Sequence, residues 1–273
     1  MCGIVGIYHK KEPACGDVYD ALIQVQHRGQ DAAGISTWDT EKISTHKYTG
    51  LVTEVFKHQK TFDKLGGNIG IGHVRYPTAG GDNVSEAQPF FTANPVNISL
   101  AHNGTLTNSE KLKEELIRIN FCQFNTNSDS EVLLKQFCYE LYKTNFRKLT
   151  KTHVYKALNN VFQKCSGGYA VVMIVAGIGL VAFRDPKGIR PLSLGKYKNS
   201  YLIASESSAI TAMGYSLESD IKPGQVVIID EQGNVNRRRP IKGSTNQPCL
   251  FEYVYFSRPD STIDEISVHK SRL

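Results

Sequence analysis

The sequence predicts an α+β fold, with antiparallel sheets and helices laid on their outer faces. Two features of the 273 residues point there. Strand-like runs come in clusters joined by short glycine turns, and they do not alternate regularly with helices, which disfavours a doubly wound parallel sheet. The helical stretches carry apolar stripes on one face only, as helices covering a sheet do.

The strand-like runs are Ile4–Tyr8, Gly34–Trp38, Ile69–Arg75, Val96–His102, Tyr169–Val175, Leu180–Arg184, Tyr201–Ala204 and Val226–Asp230. Tyr169 to Phe183 is the longest apolar stretch. Gly177 and Gly179 break it, so it reads as two strands joined at a glycine turn. A first helix is predicted around Asp17–Gln26. Thr107-x-x-Glu110 has the capping-box pattern, followed by Leu112, Leu116 and Ile119 on one face. Ser128-x-x-Glu131 repeats it, ahead of Leu134, Phe137, Cys138 and Leu141. A third helix is predicted over His153–Gln163, with Val154, Leu158 and Val161 inward. No internal repeat or low-complexity segment is visible, and residues 243–248 are the only linker-like stretch.

Hydrophobic content of 40% and charged content of 21% are those of an ordinary globular protein. The net charge of +6 is modest, and Arg237-Arg238-Arg239 is the single basic cluster. It follows a Gln232-Gly233 turn signal and reads as a solvated strand end, so no nucleic-acid partner is expected. No apolar run reaches the ~20 residues a bilayer requires, and no membrane partner is expected. Six cysteines at 2, 15, 122, 138, 165 and 249 show no C-x-x-C spacing. With no signal-peptide pattern at the start, a reduced, cytoplasmic location is the expectation.

Cys2 follows a removable methionine. With Met1 gone, one residue carries both a thiol and a free α-amine. These titrate near ~8.5 and ~8, so the amine is a base attached to its own nucleophile. A buried cysteine starting a strand is the plain reading of Cys2 alone. Several clusters change the weighting: Gln26-His27-Arg28-Gly29-Gln30, Gly72-His73-Val74-Arg75-Tyr76-Pro77-Thr78, Ala101-His102-Asn103-Gly104 and Asn127-Ser128-Asp129-Ser130-Glu131. Each alone has a bland reading as a turn, a helix start or a strand-end charge.

Together with Met1-Cys2-Gly3-Ile4-Val5-Gly6, this set in this order resembles the class II glutamine amidotransferases, in which an N-terminal cysteine releases ammonia from glutamine. Arg184 to Leu192 and Ala204-Ser205-Glu206-Ser207 also resemble segments of that superfamily. The clusters around Arg28, Arg75 and Asp129, and above all the tail Cys249 to Ser261, are similar to the glutamine phosphoribosylpyrophosphate amidotransferase branch. Pro77 departs from the branch, where serine or alanine is usual.

The resemblance implies a four-layer αββα Ntn-hydrolase sandwich of two antiparallel sheets. It implies Cys2 as the catalytic nucleophile and Asn103 with Gly104 as the donors that hold the oxyanion. Arg75 would bind the substrate α-carboxylate and Asp129 the α-ammonium. Arg28 and Gly29 would shape the floor near the nucleophile, and Thr78 would support the substrate contacts. His73 and His102 read as structural, since the α-amine is available as base. The glutaminase unit would span 1–240, and 241–273 would be a linker and the start of a phosphoribosyltransferase unit. Glutamine and phosphoribosylpyrophosphate are the implied substrates, the second bound by a further domain or partner chain. Mg²⁺ is expected in that domain and no cofactor within these residues; a homo-oligomer is expected at full length. Some members bind a [4Fe–4S] cluster with a ligand at the position of Cys249, whereas the residues by themselves read Cys249 as a small buried cysteine. A stand-alone glutaminase, an ammonia donor to a sugar phosphate, and a non-catalytic remnant stay open.

Overall fold

The computed structural model describes residues 2–76, 84–119 and 121–273. In chain order the elements are β1 (Gly3–Tyr8), α1 (Cys15–Gln24), β2 (Ala32–Trp38), β3 (Ile43–Thr49), α2 (Val52–Val55), α3 (Gln59–Phe62), β4 (Ile69–Arg75), β5 (Phe90–Thr92) and β6 (Ile98–Leu106). Then come α4 (Ser109–Arg118), α5 (Asp129–Tyr142), α6 (Lys151–Lys164), β7 (Gly167–Val175), β8 (Gly179–Arg184), β9 (Ser193–Tyr197), β10 (Ser200–Ala204), α7 (Ser207–Ala212), β11 (Ser216–Asp220), β12 (Val226–Asp230) and β13 (Val235–Arg238). A single π-helical turn (Glu252–Phe256), a small hairpin of β14 (Thr262–Ile263) and β15 (Ile266–Ser267), and α8 (Val268–Arg272) complete the chain.

Two antiparallel sheets form the centre. One has the order β11-β9-β10-β1-β4-β2-β3, the other β13-β12-β8-β7-β6-β5. Three apolar clusters separate four layers. Ile4, Ile71, Val172, Ile174 and Ile203 meet between the sheets. Val5, Ile7, Val18 and Leu22 join α1, α2 and α7 to the outer face of the first sheet. Phe137, Leu141, Leu158, Val171 and Met173 join α5 and α6 to the outer face of the second. The antiparallel α+β sandwich expected from the strand clustering is therefore present.

Burial on both faces explains the composition of the central strands. In β7, Tyr169, Val171, Met173 and Val175 face the helices, while Ala170, Val172 and Ile174 face the other sheet. A strand covered on both sides reads as a continuous apolar run. The edge strand β3, partly solvated along its length, reads as polar and escapes such a pattern. So do β5, β9, β11 and β13, which are short or partly exposed.

Local chemistry departs from expectation at three places. The helix after Thr107 begins at Ser109 with Asn108 as its cap, so Thr107-x-x-Glu110 forms no capping box. Ile119 lies just past that helix and is 45% exposed, off the buried stripe of Leu112 and Leu116. Asn103 and Gly104 lie inside β6, paired with Ala170 and Tyr169, and make no strand-ending turn. Gly104 holds φ +150°, and a Cβ there would sit 2.0 Å from the Gly168 carbonyl oxygen. Ser128, by contrast, caps α5 as expected, accepting the Ser130 N–H at 3.3 Å. Glu131 does not reach back to it. It accepts from Asn125 and Thr126 and orders the turn before the helix.

Segment 87–89 crosses β2 closely enough that only glycine fits at 34, where a Cβ would lie 2.1 Å from the Gln88 carbonyl oxygen. Gly34→Ala is expected to destabilise the fold by about 1–3 kcal/mol, the usual cost of overpacking. Gly16→Ala, with nothing within 4 Å of its Cβ position and a place in α1, serves as the control without overpacking, neutral or stabilising by up to about 1 kcal/mol. Urea midpoints of the two variants check this: equal midpoints contradict the packing account.

Candidate active site

Cys2 precedes β1, which lies between β10 and β4. The strand start is pinned by Ser205: its N–H donates to the Ile4 carbonyl at 3.0 Å, and its hydroxyl accepts the Ile4 N–H at 3.0 Å. The Cys2 carbonyl accepts from Arg28 Nε at 3.0 Å. Arg28 is fully buried and is clamped from two sides. Nη1 donates to Glu206 Oε1 at 2.6 Å, and Nη2 donates to both oxygens of Glu252 at 2.9 Å. His27 adds a 2.8 Å contact to Glu206. Burial opposes charging of Arg28, but the two carboxylates prevail and hold the guanidinium above its ordinary value.

The half-buried Cys2 thiol opens into a cavity of about 420 Å³. Arg75, Tyr76, Asn103, Gly104 and Asp129 share its wall with Gln88, His102 and Arg190. Burial pushes the thiol up from its ordinary value, while the Tyr76 backbone N–H, which hydrogen-bonds it, and the Arg75 and Arg28 charges pull the other way. Asn103 is fully buried, and neither its Nδ2 nor its Oδ1 has a partner among the described residues. An amide left unpaired in the interior costs about 1–3 kcal/mol. Its place in the cavity wall suits it to a polar group brought in from outside. Arg75 ends β4 and pairs with Asp31 at the start of β2. Asp129, the first residue of α5, accepts the Leu106 N–H at 2.9 Å, which fixes the helix start against β6.

Gly29 and Arg28 are not lining residues; they stand behind the site. A Cβ on Gly29 would lie 2.5 Å from the Arg75 carbonyl carbon, so its glycine lets the turn after α1 press on that strand end. Thr78 and Pro77 lie outside the described residues.

Two buried imidazoles neighbour each other here, His102 in the cavity wall and His73 outside the lining. His102 Nδ1 meets Ser130 Oγ at 2.8 Å, and its N–H of the main chain donates to Gln88 Oε1 at 2.8 Å. Burial lowers its proton affinity, Asp129 resists this, and Arg190 adds to it. His73, fully buried, is pushed down to about 3 by burial and by its His102 neighbour. Burial disfavours the charged form of both rings.

Sequence reading missed Asp31, Gln88, Arg190, Glu206 and Glu252 as parts of the site or its support. Glu206 and Glu252 lie 178 and 224 residues from Arg28, beyond the reach of any local pattern. The segments Ala204–Ser207, Arg184–Leu192 and Cys249–Ser261 contain three of the five, Glu206, Arg190 and Glu252, without assigning them a role. A larger surface groove of about 800 Å³ beside Lys42, His46 and Lys64 shares no residue with the Cys2 cavity.

The tail packs onto the domain through buried charge. Asp264 receives Arg184 Nη1 at 2.8 Å, and Glu206 Oε2 accepts the Arg258 N–H at 3.0 Å. Tyr253 is buried against Ile263 and Val268, whereas Leu250, Phe251, Val254 and Tyr255 are exposed. Cys249 is half-buried and donates its N–H to the Ile189 carbonyl at 3.1 Å. Among the described residues, no three His, Cys, Asp or Glu side chains converge to hold a metal. Cys249 by itself supplies one of the four thiolates that an iron–sulfur cluster takes.

Residues 73–212 match the model of the glutamine amidotransferase domain. The chain belongs to that family. Amidophosphoribosyltransferases of Pseudomonas aeruginosa and Escherichia coli are 48% and 46% identical to this glutamine amidotransferase domain over its whole length. The chain spans about half the length of these curated relatives, 55% of each. The solved glutamine phosphoribosylpyrophosphate amidotransferase of B. subtilis superimposes with a TM-score of 0.86 at 36% identity, covering 99% of this chain and 56% of that one. A class-II glutamine amidotransferase domain protein from Silicibacter pomeroyi, 14% identical with a TM-score of 0.54, shares the fold. No described helix is long and apolar enough to cross a membrane.

The buried cluster around Arg28 makes the domain acid-sensitive. Burial raises the Glu206 carboxyl, but the His27 hydrogen bond and the Arg28 charge overcome this and hold it at about 2, down from 4.5. A depressed carboxyl stabilises the fold above its unfolded value and loses that stabilisation as pH falls through the folded one. The loss is on the order of 3 kcal/mol between about pH 4.5 and pH 2. Urea unfolding followed at the buried Trp38 is expected to show it. Glu206→Gln should lower stability at pH 6 and flatten the slope in that window. An unchanged slope contradicts the assignment.

Proposed function

We propose that this domain is a glutaminase in which Cys2, freed of Met1, hydrolyses glutamine to glutamate and ammonia. The observation that carries the reading is the half-buried Cys2 thiol opening into the same cavity as a fully buried, unpartnered Asn103 amide and the Gly104 backbone. The thiolate attacks the side-chain amide carbon. The α-amine takes the thiol proton and delivers it to the leaving nitrogen, so the C–N bond breaks to release NH₃ and leave a thioester. Asn103 Nδ2 and the Gly104 N–H donate to the oxygen that becomes negative; one such donor lowers the barrier by about 3–4 kcal/mol. Arg75, one of whose nitrogens is already taken by Asp31, receives the substrate α-carboxylate, and Asp129 receives the α-ammonium. Arg28 and Gly29 hold the nucleophile and the Arg75 strand end from behind, and Thr78 supports the substrate contacts.

The ammonia then passes to phosphoribosylpyrophosphate, giving 5-phosphoribosylamine, in a second half of the protein that carries the Mg²⁺ site. The names and lengths of the relatives support this acceptor over a sugar phosphate or a stand-alone glutaminase. In this reading residues 1–240 are the glutaminase unit and 241–273 lead into the phosphoribosyltransferase unit, in a cytoplasmic homo-oligomer. The exposed Leu250, Phe251, Val254 and Tyr255 offer an apolar surface for that second half.

Intact-mass measurement with and without a glutamine-mimicking alkylator tests the nucleophile. One adduct on a chain lacking Met1 is the expected result; an adduct-free Cys2 sinks the reading. A form with Met1 retained should not hydrolyse glutamine, since an amide nitrogen is no base. Steady-state kinetics separate the other roles. Cys2→Ala abolishes turnover while glutamine still binds. Asn103→Ala lowers kcat by about 10²–10³. Arg75→Lys mainly raises KM, because lysine cannot reproduce bidentate pairing. A normal kcat in Asn103→Ala removes that residue from the oxyanion role.

A further inference from the structure

Arg190 lines the Cys2 cavity with only 15% of its side chain exposed. Its Nε and Nη1 have no hydrogen-bond partner among the described residues. The nearest carboxylate oxygen, Glu252 Oε1, is 3.6 Å from Nη1, too far for a hydrogen bond, and both Glu252 oxygens already accept from Arg28 Nη2 at 2.9 Å. A guanidinium is strongly donating and almost never left without acceptors when it is out of water.

The loop that carries Arg190 is rigid. Asp185 Oδ1 accepts the Lys187 N–H at 2.8 Å and Oδ2 the Ile189 N–H at 2.9 Å, while Arg184 Nη2 binds the Gly188 carbonyl at 2.7 Å. Ile189 presses on Gly168, where a Cβ would lie 2.5 Å from the Ile189 side chain, and Gly168 pairs with Thr105 next to Gly104. Glu252 links Arg190 to Arg28, whose Nε holds the Cys2 carbonyl. Both routes tie Arg190 to the segments that hold Cys2 and Gly104, and all three residues share the wall of one cavity.

The charges of the substrate do not need it. Glutamine carries one carboxylate and one ammonium, which Arg75 and Asp129 answer, and its side-chain amide is neutral. Hydrolysis changes that. Water adds to the acyl carbon of the Cys2 thioester, the C–S bond breaks, and one water proton returns to sulfur. The new acid loses the other proton, so a second carboxylate appears at the Cys2 end. We infer that Arg190 is a product-binding residue of the glutaminase site, which takes the γ-carboxylate of glutamate as it forms and so distinguishes product from substrate. This rests on the glutaminase reading above and deepens it.

Calorimetric titration of the protein with glutamine and with glutamate, in a Cys2→Ala background so that neither ligand turns over, tests the inference. Adding Arg190→Gln is expected to weaken glutamate binding about tenfold and to leave glutamine binding within twofold. Arg190→Lys, which keeps a charge but not the planar fork, should retain part of the glutamate affinity. A folding defect weakens both ligands alike, and the lysine variant with its charge restored guards against one. Equal effects on both ligands, or no effect on either, overturn the role of Arg190 and leave the glutaminase reading standing. Failure of the Cys2→Ala parent to bind glutamine or glutamate overturns both.

Discussion

One buried guanidinium organises this domain. Arg28 holds the Cys2 carbonyl with one nitrogen and two carboxylates from distant segments with the others. Removing one partner of such a cluster leaves an uncompensated charge in the interior, a loss of about 3–5 kcal/mol. The arrangement therefore behaves as a unit. The start of β1, the turn after α1, the end of β10 and the π-helical turn of the tail share one set of ion pairs. The position of Cys2 is thus tied to a segment 250 residues away in sequence, and a single mobile N-terminal residue becomes a positioned one.

The two-sheet architecture supplies the second constraint. Strands covered on both faces can present a side chain at their ends only where the ladder is interrupted or where glycine thins the wall. Gly104, Gly168 and Gly29 do this around the cavity, each at a point where a Cβ would meet backbone or a packed side chain within 2.5 Å. Asn103 is the consequence: a polar amide driven into a dry strand interior between His102 and Gly104, without a partner among the described residues and in the wall of the cavity. The same dry surroundings lower the proton affinity of His73 and His102, which makes both rings poorer proton acceptors than the Cys2 α-amine of the proposed reaction.

Much of this was legible along the chain. The apolar runs of β1, β4, β7, β8 and β12 stand out because both faces are buried, and the stripe of α6 stands out because only one is. Cys2, Arg75, Asn103, Gly104 and Asp129 were nameable from their clusters, and all five line one cavity. The edge strands were not legible, since partial solvation erases the hydrophobic period. Arg28, expected at the floor near Cys2, stands behind the cavity, because burial and pairing with Glu206 and Glu252 hold its side chain at the Cys2 carbonyl. Thr107 was read as a cap on spacing alone, and Asn108 takes the place one residue later.

The sequence alone determined the chemistry available and the layers that could form. A cysteine at position two, a small set of arginines, asparagine and aspartate at strand and helix ends, and the contrast between two-faced and one-faced burial are all local properties of the chain. Only the tertiary structure decided which charges meet. Whether Arg28 faces solvent or two carboxylates, whether Asn103 finds partners, and whether Arg190 joins the cavity of Cys2 depend on contacts between residues 62 to 224 positions apart. Coulomb and hydrogen-bond terms act through space and are strong only where water is excluded, and exclusion of water is a property of the packed layers, not of any one segment.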